Sequence, residues 1–390
     1  MEKRKELFSI IAYYCFYIGV VIEVLLVLID KSEFVNPIEG RIFQITFLLF
    51  TAKVILTKYS WKEYVTIALF LALGAVSYFV TGRNEIIRFV MFIAACKDID
   101  MQRCLKLVFW MTLSGCAVIV LLSVTGIYGA ASLTQEYGRG GVETRYTLGM
   151  GHPNALQCMV WALTVLFLYL YGEKMKWYGY LAILGINVFF FLLTDSKTSL
   201  LAAIFGILYA GIYRFVKNKT VRKICDISCV LITLGSVMIS VVIADNAYLV
   251  YNYDWGIDNS VWALFLKKLD SVLTGRIRSL TGNARWEGTT QTWKLFSESA
   301  NDYYFDMGWI RLFYWYGIIP AVIFIIVLLL ILFYCYKQKQ YSAMVLIVSF
   351  ALYSVMEAHA VSVYLARNYV LFLLGAYWTG LLKGDGKKWI

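Results

Sequence analysis

Arginine, histidine and glycine are concentrated in one short stretch, from Arg139 to Asn154. Pro153 is suited to the first turn of a helix, so His152 and Asn154 are predicted to lie at a helix N-terminus. Free backbone N–H groups and the helix dipole favour an anion there. The guanidinium groups of Arg139 and Arg145 suit a phosphate or pyrophosphate. The alternative interpretation is a loop that anchors to lipid headgroups, with His152 as a capping residue.

A second pair of arginines, Arg276 and Arg278, follows Thr274-Gly275 and a segment, 261–273, with apolar residues at helical spacing. If this Arg-x-Arg sequence is extended, both cations point to the same side of the backbone. It could then serve as another anion site. The alternative is ordinary ion pairing with the acidic residues of the same region, namely Asp254, Asp258 or Asp270.

Candidate proton acceptors follow in the sequence. Asp302 and Asp306 are four residues apart and share one face if the segment is helical. Either could act as general base for a hydroxyl group, or could hold Arg276 or Arg311 in place. The alternative is a polar loop before a helix, 306–316, that lies flat at the membrane surface.

Glu357 and His359 lie near the end of an apolar stretch. A glutamate about one turn inside a membrane is costly unless it is partnered, so it is a candidate functional residue. Arg367, at the start of the next apolar stretch, is the predicted partner. A purely structural ion pair is the alternative.

These residues are embedded in a strongly apolar chain of 390 residues, of which 61% are hydrophobic and 16% charged. Repeated apolar runs near 20 residues long are typical of membrane-spanning helices. We therefore predict an all-α polytopic membrane protein with about twelve transmembrane helices, forming a single membrane domain over 1–390. The predicted spans are residues 7–29, 38–57, 63–81, 84–97, 105–128, 153–171, 177–194, 199–216, 224–244, 316–336, 341–360 and 365–382.

The connections between these spans differ in length. A loop over 129–151 and a larger one over 245–315 are predicted on one side, and the larger loop forms an external subdomain with short amphipathic helices. The span over 84–97 is only about 21 Å long as a helix, and it contains Arg88. It could cross the membrane or re-enter it.

Basic residues are sorted between the two sides of this predicted topology. One side holds sixteen lysines and four arginines, and the other holds nine arginines, five lysines and both histidines. Lysine-rich short loops are typical of the cytoplasmic face. With twelve crossings, both termini are predicted to be cytoplasmic, and the arginine-rich loops lie outside.

Several kinds of chemistry are not indicated. The eight cysteines lie in or near apolar stretches, so no disulfide framework is expected. With two histidines and no cysteine in the outer loops, we predict no metal site and no cofactor. The first apolar stretch has no small-residue cleavage site and is interpreted as a retained membrane helix.

Four segments resemble motifs of Wzy-type oligosaccharide repeat-unit polymerases, within the O-antigen ligase-like superfamily. They are Leu148-Gly-Met-Gly-His-Pro-Asn154, Thr194-Asp-Ser-Lys-Thr-Ser199, Leu273-Thr-Gly-Arg276 and Asp306-Met-Gly-Trp-Ile-Arg-Leu-Phe-Tyr-Trp-Tyr-Gly317. Their order and spacing match over about 129–320. The sequence departs from the family pattern at Asp195, Lys197 and Met307, where Asn, Arg and Asn are usual.

The resemblance implies a multi-pass glycosyltransferase of the bacterial cell membrane that polymerises capsule, exopolysaccharide or O-antigen repeat units. Donor and acceptor would both be oligosaccharides on undecaprenyl pyrophosphate, and a flippase and a chain-length regulator are expected partners; no nucleic acid is expected. Rival functions are an O-antigen ligase-like transferase and a flippase or transporter. A transporter usually carries polar residues near the membrane midplane, whereas here the functional candidates crowd the outer face.

Each candidate residue then receives an expected role. Arg145 and Arg276, with Arg139 and Arg278, would stabilise the pyrophosphate leaving group. A second set would orient or deprotonate the acceptor, namely His152, Asp302, Asp306 or Glu357. Further substrate contacts are expected from Asn154, Arg311 and His359.

Overall fold

The computed structural model describes residues 2–136, 141–282 and 286–383. The described part is mostly helical. The first helices are α1 (Glu2–Lys31), α2 (Glu39–Leu56), α3 (Trp61–Thr81), α4 (Glu85–Ala95), α5 (Met101–Val124), α6 (Pro153–Tyr171), α7 (Trp177–Thr194), α8 (Lys197–Phe215) and α9 (Lys219–Asn246). They are followed by α10 (Tyr248–Asp254), α11 (Val261–Val272), α12 (Arg276–Ser279), α13 (Gly308–Tyr316), α14 (Ile318–Lys337), α15 (Tyr341–Tyr353) and α16 (Tyr369–Lys383).

Eight helices of the described chain are long and apolar enough to cross a membrane: α1, α3, α5, α6, α7, α8, α9 and α14. The prediction of a helical membrane protein is therefore confirmed at this level. The other four predicted spans correspond to helices of a different character. Helix α2 carries Glu39, Arg41 and Lys53, whereas α4, α15 and α16 have 11, 13 and 15 residues.

The predicted loop over 129–151 contains the sheet of the described structure. Strands β1 (Ser132–Glu136) and β2 (Val142–Tyr146) pair antiparallel, with Leu133 opposite Arg145. Arg139 lies between these strands in sequence and is outside the described residues. After β2, the chain contacts the end of α1, because the Gly151 N–H donates to the Lys31 carbonyl at 3.0 Å.

The helix ends near this hairpin follow from local sequence. Pro153 occupies the first turn of α6, and the His152 ring accepts a hydrogen bond from the Asn154 N–H at 3.1 Å. Helix α7 ends at Thr194, the following Asp195 adopts the left-handed conformation with φ 48°, and α8 begins at Lys197. The start of α6, the end of α7 and the start of α8 therefore lie at one end of the bundle.

Helix α13 lies inside the protein rather than flat on a membrane surface. All nine of its residues are buried, and it packs against α3, α9 and α14. The Trp309 indole donates to the Ala351 carbonyl of α15 at 2.9 Å. The prediction of an interfacial helix over 306–316 is wrong, because aromatic composition alone does not distinguish a membrane surface from a protein interior.

Helix α15 ends at Tyr353, seven residues before the predicted end of its span. The chain then runs as a largely buried, mostly irregular segment, 354–368, to which we refer as the 354–368 segment; it contains one short 3-10 turn, Leu365–Arg367. Its backbone is anchored to the N-terminal helices, since the Val363 carbonyl accepts from Arg88 and the Leu365 N–H donates to Glu23.

Candidate functional site

Four parts of the chain that are distant in sequence meet around one cavity of about 230 Å³. They are the β-hairpin, the start of α6, the turn between α7 and α8, and the large loop. The lining residues are Gln135, Glu136, Arg145, His152, Asn154, Asp195, Ser196, Lys197, Thr198, Val272, Thr274, Arg276 and Asp306. Each of the four segments that resemble polymerase motifs contributes to this lining.

Arg276 reaches the cavity because the chain reverses direction immediately before it. Thr274 and Gly275 both have positive φ, 56° and 79°, and glycine adopts this conformation without steric cost. The Asp270 carboxylate then accepts from the N–H groups of Ile277 and Arg278 at 2.8 and 3.0 Å. Burial raises the pKa of Asp270, whereas these backbone hydrogen bonds lower it.

The guanidinium of Arg276 bridges two carboxylates. Its Nη2 lies 2.7 Å from Oε1 of Glu357, and its Nε lies 3.5 Å from Oδ2 of Asp306. The Arg276 side chain is 6% exposed and that of Asp306 is 44% exposed. Among the described residues, Nε has no hydrogen-bond partner. The Nε–H of Arg276 therefore lies beside the partly exposed carboxylate of Asp306 without a hydrogen-bond acceptor among the described residues.

Arg276 and Arg278 both lie in the short helix α12, but they have different ion-pair partners. Arg278 is 58% exposed and pairs with Asp254 at 2.7 Å, so the two cations do not converge. The prediction of an extended Arg-x-Arg site is wrong, because Asp270 caps a helical turn at this position. Arg278 instead follows the alternative of ordinary ion pairing.

Glu357 belongs to the 354–368 segment and does not pair with Arg367 as predicted. Its partner is Arg276, which is 81 residues away in sequence. The contact depends on Gly308 at the start of α13, because a Cβ added there would lie 2.5 Å from the Glu357 carbonyl oxygen. A glycine thus lets the chain after Asp306 pack directly on the backbone that carries Glu357.

Arg145 brings a second guanidinium to the cavity from β2. Its side chain is 5% exposed, forms an ion pair with Glu143, and lies 3.6 Å from Asp195. Asp195 is held at the start of the turn by its left-handed backbone. Together, three basic residues, Arg145, Lys197 and Arg276, and three acidic residues, Glu136, Asp195 and Asp306, line the cavity.

His152 combines a structural contact with a position in the cavity. Its Nδ1 accepts the α6 capping hydrogen bond, so in the neutral ring the proton is on Nε2. Burial lowers the pKa of His152 below its ordinary 6.5; Asp306 opposes this shift, and Arg145 and Arg276 add to it. In the capping geometry His152 is therefore a neutral hydrogen-bond donor through Nε2 rather than a base.

Three other predicted site residues lie outside the cavity lining. Asp302 is exposed, and the segment from it to Asp306 is not helical, so the two carboxylates do not share a helix face as expected. Arg311 is buried, and both its Nε and Nη2 donate to the Phe305 carbonyl, with the Tyr304 ring 3.6 Å away. It therefore fixes the backbone next to Asp306.

His359 is fully buried, with 0% exposure. Its Nε2 lies 3.4 Å from the Cys158 sulfur, and its ring packs against Trp161 and Tyr353. It is a core residue behind the cavity rather than part of its lining. Its proximity to Glu357 in sequence was misleading, because the irregular backbone of the 354–368 segment sends the two side chains to different environments.

Several polar residues of the lining had no role assigned to them from the sequence. Ser196, Lys197 and Thr198 lie in the turn between α7 and α8; from residue types alone, ordinary turn chemistry explains this turn about as well as a ligand site does. The available signal was the resemblance of Thr194–Ser199 to a family motif. No sequence signal singled out Gln135 and Glu136, which reach the cavity only because the hairpin folds back.

Comparison with known proteins finds no matching protein-family model, no matching curated protein and no matching solved structure for this chain. Among the described residues, no group of three or more His, Cys, Asp or Glu side chains is placed to hold a metal ion.

Proposed function

We propose that this protein is a membrane glycosyltransferase that polymerises oligosaccharide repeat units carried on undecaprenyl pyrophosphate at the outer face of the bacterial cell membrane. The observation that carries the proposal is the cavity in which Arg145, Arg276, His152 and Asp306 meet. The convergence of four segments with family-like motifs on this cavity supports it further.

The reaction joins two lipid-linked substrates. The acceptor hydroxyl oxygen attacks the anomeric carbon of the donor, a new glycosidic bond forms, and the bond from that carbon to the pyrophosphate oxygen breaks. Negative charge develops on the departing pyrophosphate. Fixed guanidinium groups stabilise such charge most effectively in a site that largely excludes water.

Arg276 and Arg145 are suited to this charge. The pyrophosphate competes with Asp306 and Asp195, which are 44% and 40% exposed and can turn toward solvent. Glu357, with a side chain only 12% exposed, remains bound to Arg276 and keeps its guanidinium in place. His152, which also lines the cavity, is a neutral donor through Nε2–H.

Asp306 is the best-placed group to accept the proton of the acceptor hydroxyl. It lines the cavity, is partly exposed, and is released from Arg276 when the pyrophosphate takes its place. Glu357 is less suited, because its carboxylate already accepts from Arg276 at 2.7 Å. The proton thus moves from the hydroxyl to Asp306 as the glycosidic bond forms.

The proposal includes twelve crossings with both termini in the cytoplasm. The lysine-rich connections support this orientation. Helices α4 and α15 are shorter than the bilayer core, about 30 Å thick. Irregular backbone at membrane depth is tolerated where protein covers it, and the 354–368 segment is largely buried. The candidate cavity then opens on the outer face.

Purified protein in detergent tests the proposal. Given a lipid-linked repeat unit as the only substrate, it should produce a ladder of lengthening lipid-linked chains. If no ladder forms, and a different acceptor added in a separate reaction receives a single transferred unit, the result would favour a ligase-like enzyme. A well-folded preparation that gives no elongation can be reconstituted in vesicles. If it moves the same lipid across their membrane, this pair of results would favour a transporter and reject the glycosyltransferase.

A further inference from the structure

A second and larger cavity, of about 570 Å³, lies between α2, the end of α3 and the start of α4. We call it the α2–α4 groove. Its lining residues are Pro37, Ile38, Gly40, Arg41, Phe43, Gln44, Phe47, Tyr78, Asn84, Ile87 and Arg88. Two of these described residues are arginines and none is acidic, whereas both acidic and basic residues line the first cavity.

Arg88 is a built-in part of this groove. It is 5% exposed, and its guanidinium lies 4.1 Å from the Phe43 ring. Its Nη1 donates to the Val363 carbonyl at 3.0 Å, and its Nη2 donates to Glu23 at 3.1 Å. Its Nε has no hydrogen-bond partner among the described residues. A buried N–H of this kind is costly unless a ligand or water accepts from it.

Glu23 balances the positive charge of Arg88, but no acidic residue of the groove lining balances the charge of Arg41. Glu23 accepts from Arg88, from the Thr46 hydroxyl at 2.6 Å and from the Leu365 N–H at 3.0 Å. Its hydrogen-bonding capacity is therefore well used. Arg41, exposed in the first turn of α2, adds a positive charge to the lining. The groove consequently attracts an anion.

The remaining walls favour an amphiphile rather than a free anion. Phe43, Phe47, Ile38 and Ile87 provide apolar surface, with Gln44, Asn84 and Tyr78 at the polar positions. The neighbouring outward faces of α2 and α3 expose large apolar side chains, including Ile45, Leu48 and Phe79. A hydrocarbon chain can therefore leave the groove along these surfaces while its anionic headgroup contacts the arginines.

The 354–368 segment connects the groove to the candidate active site. Glu357 binds Arg276 at one end of this connection, and Val363 binds Arg88 at the other. Val363 is six positions after Glu357 in the sequence, so their Cα atoms are at most about 21 Å apart. Polymerisation needs such an arrangement, because the acceptor carries its own lipid pyrophosphate one oligosaccharide away from the hydroxyl that attacks.

We propose that the α2–α4 groove holds the lipid pyrophosphate of the acceptor while its sugar chain extends to the cavity around Arg145 and Arg276. The inference rests on the proposed function. The donor pyrophosphate, which is the leaving group, would bind in the first cavity. The acceptor pyrophosphate, which remains attached to its sugar chain, would bind in the groove. Arg41 is the residue to test, because it is exposed and its loss does not remove a buried ion pair.

Equilibrium binding of radiolabelled geranylgeranyl pyrophosphate to the full-length protein in detergent is the direct measurement. The wild-type protein should bind two equivalents. Arg41→Ala should weaken one site roughly tenfold, and Arg276→Ala should weaken the other, since each loses charge-assisted hydrogen bonds. Arg103→Ala is the matched control, because Arg103 is a 79% exposed arginine in the opposite set of predicted loops, and both sites should persist.

Kinetics provide the second measurement. With a preloaded donor and a varied acceptor, Arg41→Ala should raise the acceptor KM roughly tenfold and leave kcat at saturating acceptor unchanged. One equivalent bound by the wild type, or an unchanged second site in Arg41→Ala, would overturn the inference. Equal displacement of the probe from the groove by phosphatidylglycerol would identify a general phospholipid site and would also overturn it.

The two proposals fail in different ways. Absence of elongation in the wild-type protein contradicts the proposed function, whatever the binding stoichiometry. Suppose instead that Arg276→Ala abolishes elongation, while the acceptor KM is the same in wild type and Arg41→Ala. This result contradicts the groove assignment alone.

Discussion

Arg276 and Glu357 form a hydrogen-bonded ion pair with an Nη2–Oε1 distance of 2.7 Å, which joins the large loop to the 354–368 segment. The same guanidinium faces Asp306 across 3.5 Å. The buried Glu357 holds the Arg276 guanidinium in place. The partly exposed Asp306 can be replaced at this guanidinium by a substrate anion. This arrangement explains why Arg276 is the residue on which the proposed site depends most.

Replacing Arg276 with alanine should reduce transfer by about 10²- to 10³-fold, the usual effect of removing one donor to developing negative charge. Arg276→Lys should also impair the enzyme, because a lysine keeps the charge but not the forked geometry. The measurement is polymer length in cells at matched protein level. A normal length distribution in Arg276→Ala would remove this residue from the mechanism.

Asp306 and Asp302 offer a matched pair four residues apart. Asp306→Asn should abolish chain elongation, because the amide cannot accept the hydroxyl proton. Asp302→Asn should leave elongation near the wild-type level, because Asp302 is exposed and outside the cavity lining. In vitro elongation rates of the two variants check this. Equal loss in both would mean that Asp306 has no special role as base.

His152 has two roles that different substitutions separate. His152→Ala should lower stability by about 1 kcal/mol through loss of the helix cap and should also reduce activity. His152→Asn should keep the cap, since asparagine is a good N-cap residue, but should lose the Nε2–H donor to the pyrophosphate. We expect near-normal thermal stability with reduced transfer; full activity of His152→Asn would restrict His152 to capping.

The lowered pKa of His152 makes stability depend on pH in a defined direction. The folded protein favours the neutral ring relative to the unfolded chain, whose pKa is near 6.5. The contribution of neutral His152 to the free energy of unfolding is therefore complete above pH 6.5. It is lost as the pH falls from 6.5 through the lower pKa of the folded state. Thermal unfolding midpoints should decline less steeply below pH 6.5 in His152→Asn than in wild type. Identical pH profiles would contradict this assignment.

Arg278→Ala serves as the counterpart of Arg276→Ala. Arg278 is 58% exposed and pairs outside the cavity with Asp254, which is 16% exposed; because solvent screens the arginine, such a pair contributes about 1 kcal/mol or less. We expect near-normal polymer length and a small change in unfolding temperature. A loss of polymer as severe as that of Arg276→Ala would show that substrate reaches the outer side of α12.

Local sequence determined the helical elements and some of their ends. Runs of apolar residues account for the eight long helices, and Pro153 with His152 marks the start of α6. Ser260 caps α11, because its side chain accepts a hydrogen bond from the Ala263 N–H at 3.2 Å. These features depend on residues that are close together in the sequence. The start and end of a helix can therefore be predicted from a single sequence.

Only the tertiary structure decided which charged residues meet. Glu357 pairs with Arg276 rather than Arg367, α13 is buried rather than interfacial, and His359 faces the core. Each outcome depends on contacts between elements far apart in sequence, such as Gly308 against the Glu357 backbone. Side-chain spacing predicts which residues share a helix face, but the partner of a buried charge is set by how the helices pack, because a buried ion must find its counter-ion there.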